Sequence, residues 1–195
     1  MDYEDEDVDV TDKKVYILLT DTGTLFTRVI RLYTKADYNH VCIGFDRSLE
    51  ILYSFGRKNP SNPFIAGFVN ESIRRGIYKI FSETSCSLYC FEVNRKTYNR
   101  IKRNIRKFEK ERDKYSYNLI GLLGVMYSIP IQRRYSYFCS QFVATVLKNS
   151  GVDFFNKNPA LVAPHDFENI KQLRLIYRGK LKDYSYSKAY SSNSI

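Results

Sequence analysis

The stretch "YNHVCIGFDRSLEILYSFGR", Tyr38 to Arg57, holds two apolar runs, Val41–Phe45 and Leu49–Phe55, separated by the polar residues Asp46 to Ser48. Short β-rich runs joined by a tight polar turn describe a hairpin, so this stretch seeds an antiparallel sheet. Working outward, "KVYILLT" (Lys14 to Thr20) reads as a buried strand on the N-terminal side. On the other side "RKNPSNPF" reads as an Asn/Pro loop, and "GIYKIF" and "SLYCFEV" as two further strands. "LRLIYRGKL" supplies a last strand near the C-terminus.

Between these runs the apolar period changes from two to about 3.6. "DTGTLFTRVIRLYTK" places Leu25, Val29, Ile30 and Leu32 or Tyr33 at helical spacing behind a capping Asp21 or Thr22. "NRKTYNRIKRNIRKFEKERDKYSYN" sets Tyr98, Ile101, Ile105 and Phe108 on one stripe, with Lys and Arg on the other face. "LIGLLGVMYSI" has the length and composition of a core helix, and "FCSQFVATVLKNSG" (Phe138 to Gly151) is an apolar helix closed by glycine. "PHDFENI" begins a short helix at Pro164. One helix, a run of strands, then helices predicts an α+β fold: a central antiparallel sheet of about four to six strands packed against helices.

A chain of 195 residues, 44% apolar and 27% charged, suits one globular domain. We expect an acidic disordered tail at 1–13, the domain at 14–184 and a polar tail at 185–195. The net charge of +10 is unevenly spread: residues 1–12 carry seven acids and no base, leaving 31 basic against 14 acidic residues, +17, in the rest. Such a field suits an anionic polymer or membrane surface. The acidic start lacks the basic and apolar pattern of a leader, which predicts a cytoplasmic protein. Cys42, Cys86, Cys90 and Cys139 are too few and too irregular for a disulfide framework. Cys86 and Cys90 have no second Cys or His pair nearby, so no metal and no cofactor are expected.

Two residues carry chemistry. Cys139 stands at the front of a helix anchored by Phe142, Val143, Val146 and Leu147, where unpaired amides and the helix dipole favour a thiolate. His40 is one of only two histidines and opens a strand, where the sheet can fix an imidazole as the base that takes a thiol proton. His165, before the cap-like Asp166, reads as structural.

"NHVCIGFD" (Asn39 to Asp46) followed far downstream by "FCSQFVATVL" (Phe138 to Leu147) resembles the circularly permuted papain-like (NlpC-type) cysteine hydrolases, with a helix ahead of the histidine. It is similar, more distantly, to the lecithin:retinol acyltransferase group. The resemblance covers roughly Val15 to Phe167. It implies Cys139 as nucleophile, His40 as base and a third polar residue near the end of the second hairpin strand. That place falls on or beside Ser54, which departs from the Glu, His or Asn of the family; Glu50 and Glu71 are the alternatives.

Tyr38 and Tyr137 are candidates for a second oxyanion donor beside the Cys139 amide. Arg57, in the irregular stretch after Ser54, would present positive charge to a substrate. The expected function is a cysteine hydrolase or acyltransferase acting on a peptide, amide or lipid ester through a thioester. The alternative is a catalytically silent relative that binds an anionic polymer or membrane through the basic helix Arg95 to Lys114. Nucleic acid is not expected, because Tyr98 and Phe108 fall on the buried stripe.

Overall fold

The computed structural model describes residues 12–22, 37–59 and 62–186; the helix expected over "LFTRVIRLYTK" and both expected tails, apart from residues next to the domain, lie outside these described residues. Six strands form one sheet: β1 (Lys13–Asp21), β2 (His40–Gly44), β3 (Leu52–Asn59), β4 (Asn62–Glu71), β5 (Ser85–Val93) and β8 (Arg174–Lys180), in the order β4-β3-β2-β1-β5-β8. All neighbouring pairs are antiparallel. The α+β architecture thus has a six-stranded antiparallel sheet.

β1 is central and buried on both faces, which is why "VYILLT" reads as continuous rather than alternating apolar. One face, bearing Val15, Ile17, Leu19, Val41, Ile43 and Phe55, is covered by α2 (Arg95–Lys110) and α4 (Cys139–Asn149). The helices contribute Ile101, Ile105 and Phe108, and Phe142, Val143, Val146 and Leu147. Removing these side chains from water supplies roughly 1.5–3 kcal/mol each for the larger ones, before the entropy of ordering them is subtracted. Asn94 caps α2 by accepting from the Thr97 amide at 2.9 Å. The opposite face holds a second cluster of Tyr16, Leu18, Cys42, Leu52, Leu88 and Tyr78.

Three elements differ from the reading of the sequence. "RKNPSNPF" is mostly strand: β3 runs to Asn59 and β4 starts at Asn62. β4 is the edge of the sheet, where a proline's missing N–H forfeits no ladder bond. "GIYKIF" is the one-turn helix α1 (Ile77–Ile80), entered through Gly76 at φ 64°, a conformation that stops an extended strand.

The third is α3 (Leu119–Met126), which is not a core helix. It buries Gly121 and Gly124 and leaves Leu119, Ile120 and Leu123 about half exposed. Its apolar residues surround the axis, so packing the small glycine side inward turns the leucines out. Ahead of α3 and α4, β6 (Ser116–Tyr117) and β7 (Ser136–Tyr137) form a short parallel pair, Tyr117 opposite Tyr137.

Candidate active site

Cys139 is the first residue of α4, preceded by an extended Phe138 whose amide donates to Gln141 Oε1 at 3.4 Å. The apolar face of α4 lies on β2 and β3, so core packing sets where the thiol sits. Its Sγ is 3.9 Å from the Asn39 carbonyl oxygen, and the His40 imidazole lies close enough to act on it. The entry to β2 is fixed in turn, because the Asn39 amide donates to Thr20 O at 3.2 Å and Asn39 Nδ2 donates to Asp21 Oδ1 at 2.6 Å.

His40 Nε2 donates to Glu71 Oε1 at 3.1 Å, with Oε2 at 3.3 Å. Committing Nε2 to the carboxylate leaves Nδ1 as the ring nitrogen for the thiol. Glu71 also accepts from Tyr78 Oη at 2.8 Å and from Cys42 Sγ at 3.3 Å, both through Oε2. This partly buried carboxylate is therefore well supplied with donors.

Strand geometry makes room for the network. Backbone pairing of β2 with β3 is confined to Ile43 opposite Tyr53 and Gly44 opposite Leu52. Beyond it the Ser54 hydroxyl donates to the Val41 carbonyl at 2.7 Å, standing in for a ladder bond. Gly56 follows on the same face as Ser54, and a Cβ there would lie 3.0 Å from Glu71 Oε1 and 3.4 Å from His40 Cε1. A side chain there would press on both the carboxylate and the imidazole.

The charges reinforce one another. Burial pushes His40 down, but the Glu71 carboxylate, with Cys42 and Cys139, overrides it and holds the imidazole well above its ordinary value. Burial pushes Cys139 up; the hydrogen bond and charge of His40, with the amides of Val41 and Ser140, outweigh it and lower the thiol. Burial likewise raises Glu71, and the His40 charge with the three donors brings it below the ordinary carboxylate value. The arrangement favours a thiolate–imidazolium pair backed by a carboxylate.

A cleft of roughly 810 Å³ opens onto this network, lined among others by Asn39, His40, Gly56, Glu71, Tyr78 and Tyr117. Cys139 is 1% exposed and does not line it. Tyr117 does line it, and its hydroxyl lies near the Cys139 side chain and amide; burial first, then the charge at Cys139, raise that hydroxyl. The Tyr117 O–H and the Cys139 N–H are thus adjacent donors beside the sulfur, where an oxyanion would form.

Of the residues singled out in the sequence, Cys139 and His40 come together and Arg57 lines the cleft, from β3 rather than from a loop. Ser54 does not bond to His40; it serves the Val41 carbonyl. Glu50 pairs with Arg74 at 3.2 Å, leaving Glu71 as the carboxylate on the imidazole. Tyr38 is buried away from the cleft with its hydroxyl 2.8 Å from Ser87 Oγ, and Tyr137 packs against Phe55 and Phe108.

Tyr117 and Tyr78 went unmarked among 17 tyrosines. A signal for Tyr117 existed in the matching "YSYN" and "YSYF" (Tyr115 to Asn118, Tyr135 to Phe138), which pair in register and carry Tyr117 to the doorstep of Cys139. Among the described residues, His40, Cys42 and Glu71 are the group whose ligand atoms, all within 4.8 Å of one another, could share a metal ion. No family model, no curated protein and no solved structure matches the chain.

Proposed function

We propose that the protein is a cysteine hydrolase or acyltransferase of the permuted papain-like, NlpC-type kind, which forms a thioester at Cys139. The observation that carries this reading is the continuous line from the helix-front thiol through His40 to the Glu71 carboxylate.

In this mechanism the Cys139 thiolate attacks an amide or ester carbonyl. Negative charge develops on the carbonyl oxygen, and the Cys139 N–H and Tyr117 O–H stabilise it. The His40 imidazolium gives its Nδ1 proton to the departing amine or alcohol as the carbon–heteroatom bond breaks, leaving a thioester. Neutral His40 then takes a proton from water or an acceptor alcohol that attacks the thioester, releasing the acyl product and restoring the thiol-side proton balance. Glu71 keeps the ring oriented and stabilises its charged form. Cys139 is buried while Tyr117, near it, lines the cleft, so access to the sulfur calls for a movement of the side chains around Tyr117.

Arg57, Lys58, Arg75 and Arg112 line the cleft against Glu50, Glu71 and Asp113, and the apolar Ile51 and Leu119 stand at its rim. That lining suits a substrate with an anionic group and an apolar portion, such as a peptide or lipid ester. A second reading rests on α2, whose exposed Lys96, Arg103, Arg106, Lys107 and Lys110 form a basic face suited to an anionic polymer or membrane surface. No helix among the described residues is long and apolar enough to cross a membrane.

The test is labelling with an acyl-mimicking electrophile followed by peptide mapping. Covalent attachment at Cys139 in the native protein, lost in His40→Asn and in the denatured chain, is expected. Equal labelling of all four cysteines, or labelling indifferent to His40, sinks the enzyme reading and leaves the basic-face reading.

A further inference from the structure

We infer that His40, Cys42 and Glu71 form a site for a tetrahedral, borderline-soft divalent cation such as Zn²⁺, on the side of the imidazole remote from Cys139. The three side chains offer one nitrogen, one sulfur and one oxygen from two strands, β2 contributing His40 and Cys42 through its alternation and β4 contributing Glu71. This mixed donor set suits Zn²⁺ rather than Mg²⁺ or Ca²⁺, which take oxygen ligands.

The spacing fits as well. Zinc bonds of about 2.0–2.3 Å at tetrahedral angles put ligand atoms about 3.3–3.6 Å apart. Here the single oxygen Oε2 lies 3.3 Å from both His40 Nε2 and Cys42 Sγ. Nε2 and Sγ lie within 4.8 Å and need only close toward an ion between them. His40 and Glu71 face the cleft, which gives an entry path, and leaves the fourth position to water or to Tyr78, 2.8 Å from Oε2.

Charge balance permits the exchange. The ion displaces the proton on His40 Nε2 and the proton on Cys42 Sγ, both released to solvent. A dication enters as two protons leave, so the net charge of the buried cluster is unchanged and no new unpaired charge is created.

The consequence for catalysis rests on the hydrolase reading. With the cation on Nε2, the ring holds its remaining proton on Nδ1, and giving it to a leaving group would produce an imidazolate instead of a neutral imidazole. Turnover would stop at leaving-group protonation, making the site inhibitory.

The experiment uses the full, reduced, metal-stripped chain. Zn²⁺ is titrated against a chromophoric chelator, and Cd²⁺ is added separately while the thiolate-to-metal charge-transfer absorbance is recorded. One equivalent bound, with protons released as the ion is taken up, is expected. Cys42→Ser and Glu71→Gln should each weaken uptake at least tenfold, while Cys139→Ala should not. Cys42→Ala, checked for native circular dichroism, separates ligand loss from misfolding and should also lose the Cd²⁺ band. No uptake by the native chain, or equal uptake by Cys42→Ser, overturns the site. Zinc binding without any thioester chemistry would overturn the hydrolase reading and leave the site standing. Zinc binding that leaves an observed activity unchanged would overturn the inhibitory consequence.

Discussion

Two buried thiols flank His40 from opposite faces of one sheet, and they behave in opposite ways. Cys139 is 1% exposed and Cys42 0% exposed, so burial pushes both thiols up. Cys42 ends at about 11, because after burial its largest influence is the Glu71 carboxylate, a like charge to any thiolate formed there. Cys139 ends below its ordinary value, because His40 and the amides of Val41 and Ser140 all favour the anion. Depth does not make a nucleophile; the sign of the nearest charge does, and a helix front supplies donors that a strand interior has already spent.

The largest effect expected from breaking this contrast is at His40. His40→Asn should lower turnover by about 10³-fold, the middle of the range for a lost general acid–base. It should also slow Cys139 alkylation by on the order of 10²-fold, since an untuned thiol is only a few per cent thiolate at neutral pH. Iodoacetamide kinetics with peptide mapping measure this: Cys139 first in the native protein, with Cys42 and Cys86, pushed up to about 11 and about 12, far behind it, and the gap between Cys139 and Cys42 closing in the variant. Equal initial rates at the two sites would remove the comparison altogether.

Glu71→Gln sharpens it through pH. The thiolate–imidazolium pair exists above the lowered Cys139 value and below the raised His40 value. Without the carboxylate, burial draws His40 down, and the thiol loses part of its counter-charge and moves up, so the window narrows from both sides. A bell-shaped rate profile should contract on both limbs, with turnover down by roughly 10²-fold, less than the 10⁴-fold known for a buried aspartate orienting a catalytic histidine.

Stability follows the same signs. The depressed Glu71 contributes above its unfolded value and loses this as pH falls through its folded one. The raised His40 contributes below its unfolded value and loses this as pH rises through its folded one. The variant should therefore be most destabilised between about pH 4.3 and 6.5.

Tyr117→Phe should act in two directions. Losing one neutral hydrogen bond to the oxyanion lowers kcat by about tenfold, corresponding to roughly 1 kcal/mol. Losing the tether to Sγ frees the ring, so alkylation by a small reagent should become faster. Both rates falling together would mean that Tyr117 merely packs. The smallest effect on activity is expected at Ser54. Ser54→Ala leaves the buried Val41 carbonyl without its partner, which costs about 1–3 kcal/mol of stability and lowers Tm by about 2–4 °C per kcal/mol for a chain of this size. Turnover measured well below Tm should barely change.

Local pattern alone determined much of this protein. The continuous apolar run of β1, the β2–β3 hairpin, the stripe of α2 and the glycine-closed α4 follow from residue period and punctuation, and they suffice for a sheet backed by helices. Cys139 and His40 were legible because each sits at the start of an element whose buried face is unambiguous. What pattern did not settle was the partner of the imidazole.

Ser54 stands on the neighbouring strand, but its hydroxyl is used by a backbone carbonyl, whereas Glu71 is carried to His40 by the pairing of β3 with β4, with Gly56 leaving room beside both groups. The outward turn of the α3 leucines was equally invisible, since an apolar helix without a stripe shows which side is buried only when its neighbours are in place. Period reports a residue's own face. Which group meets it across strands 31 positions apart, as His40 meets Glu71, depends on register and on missing atoms, and those are properties of the assembled sheet.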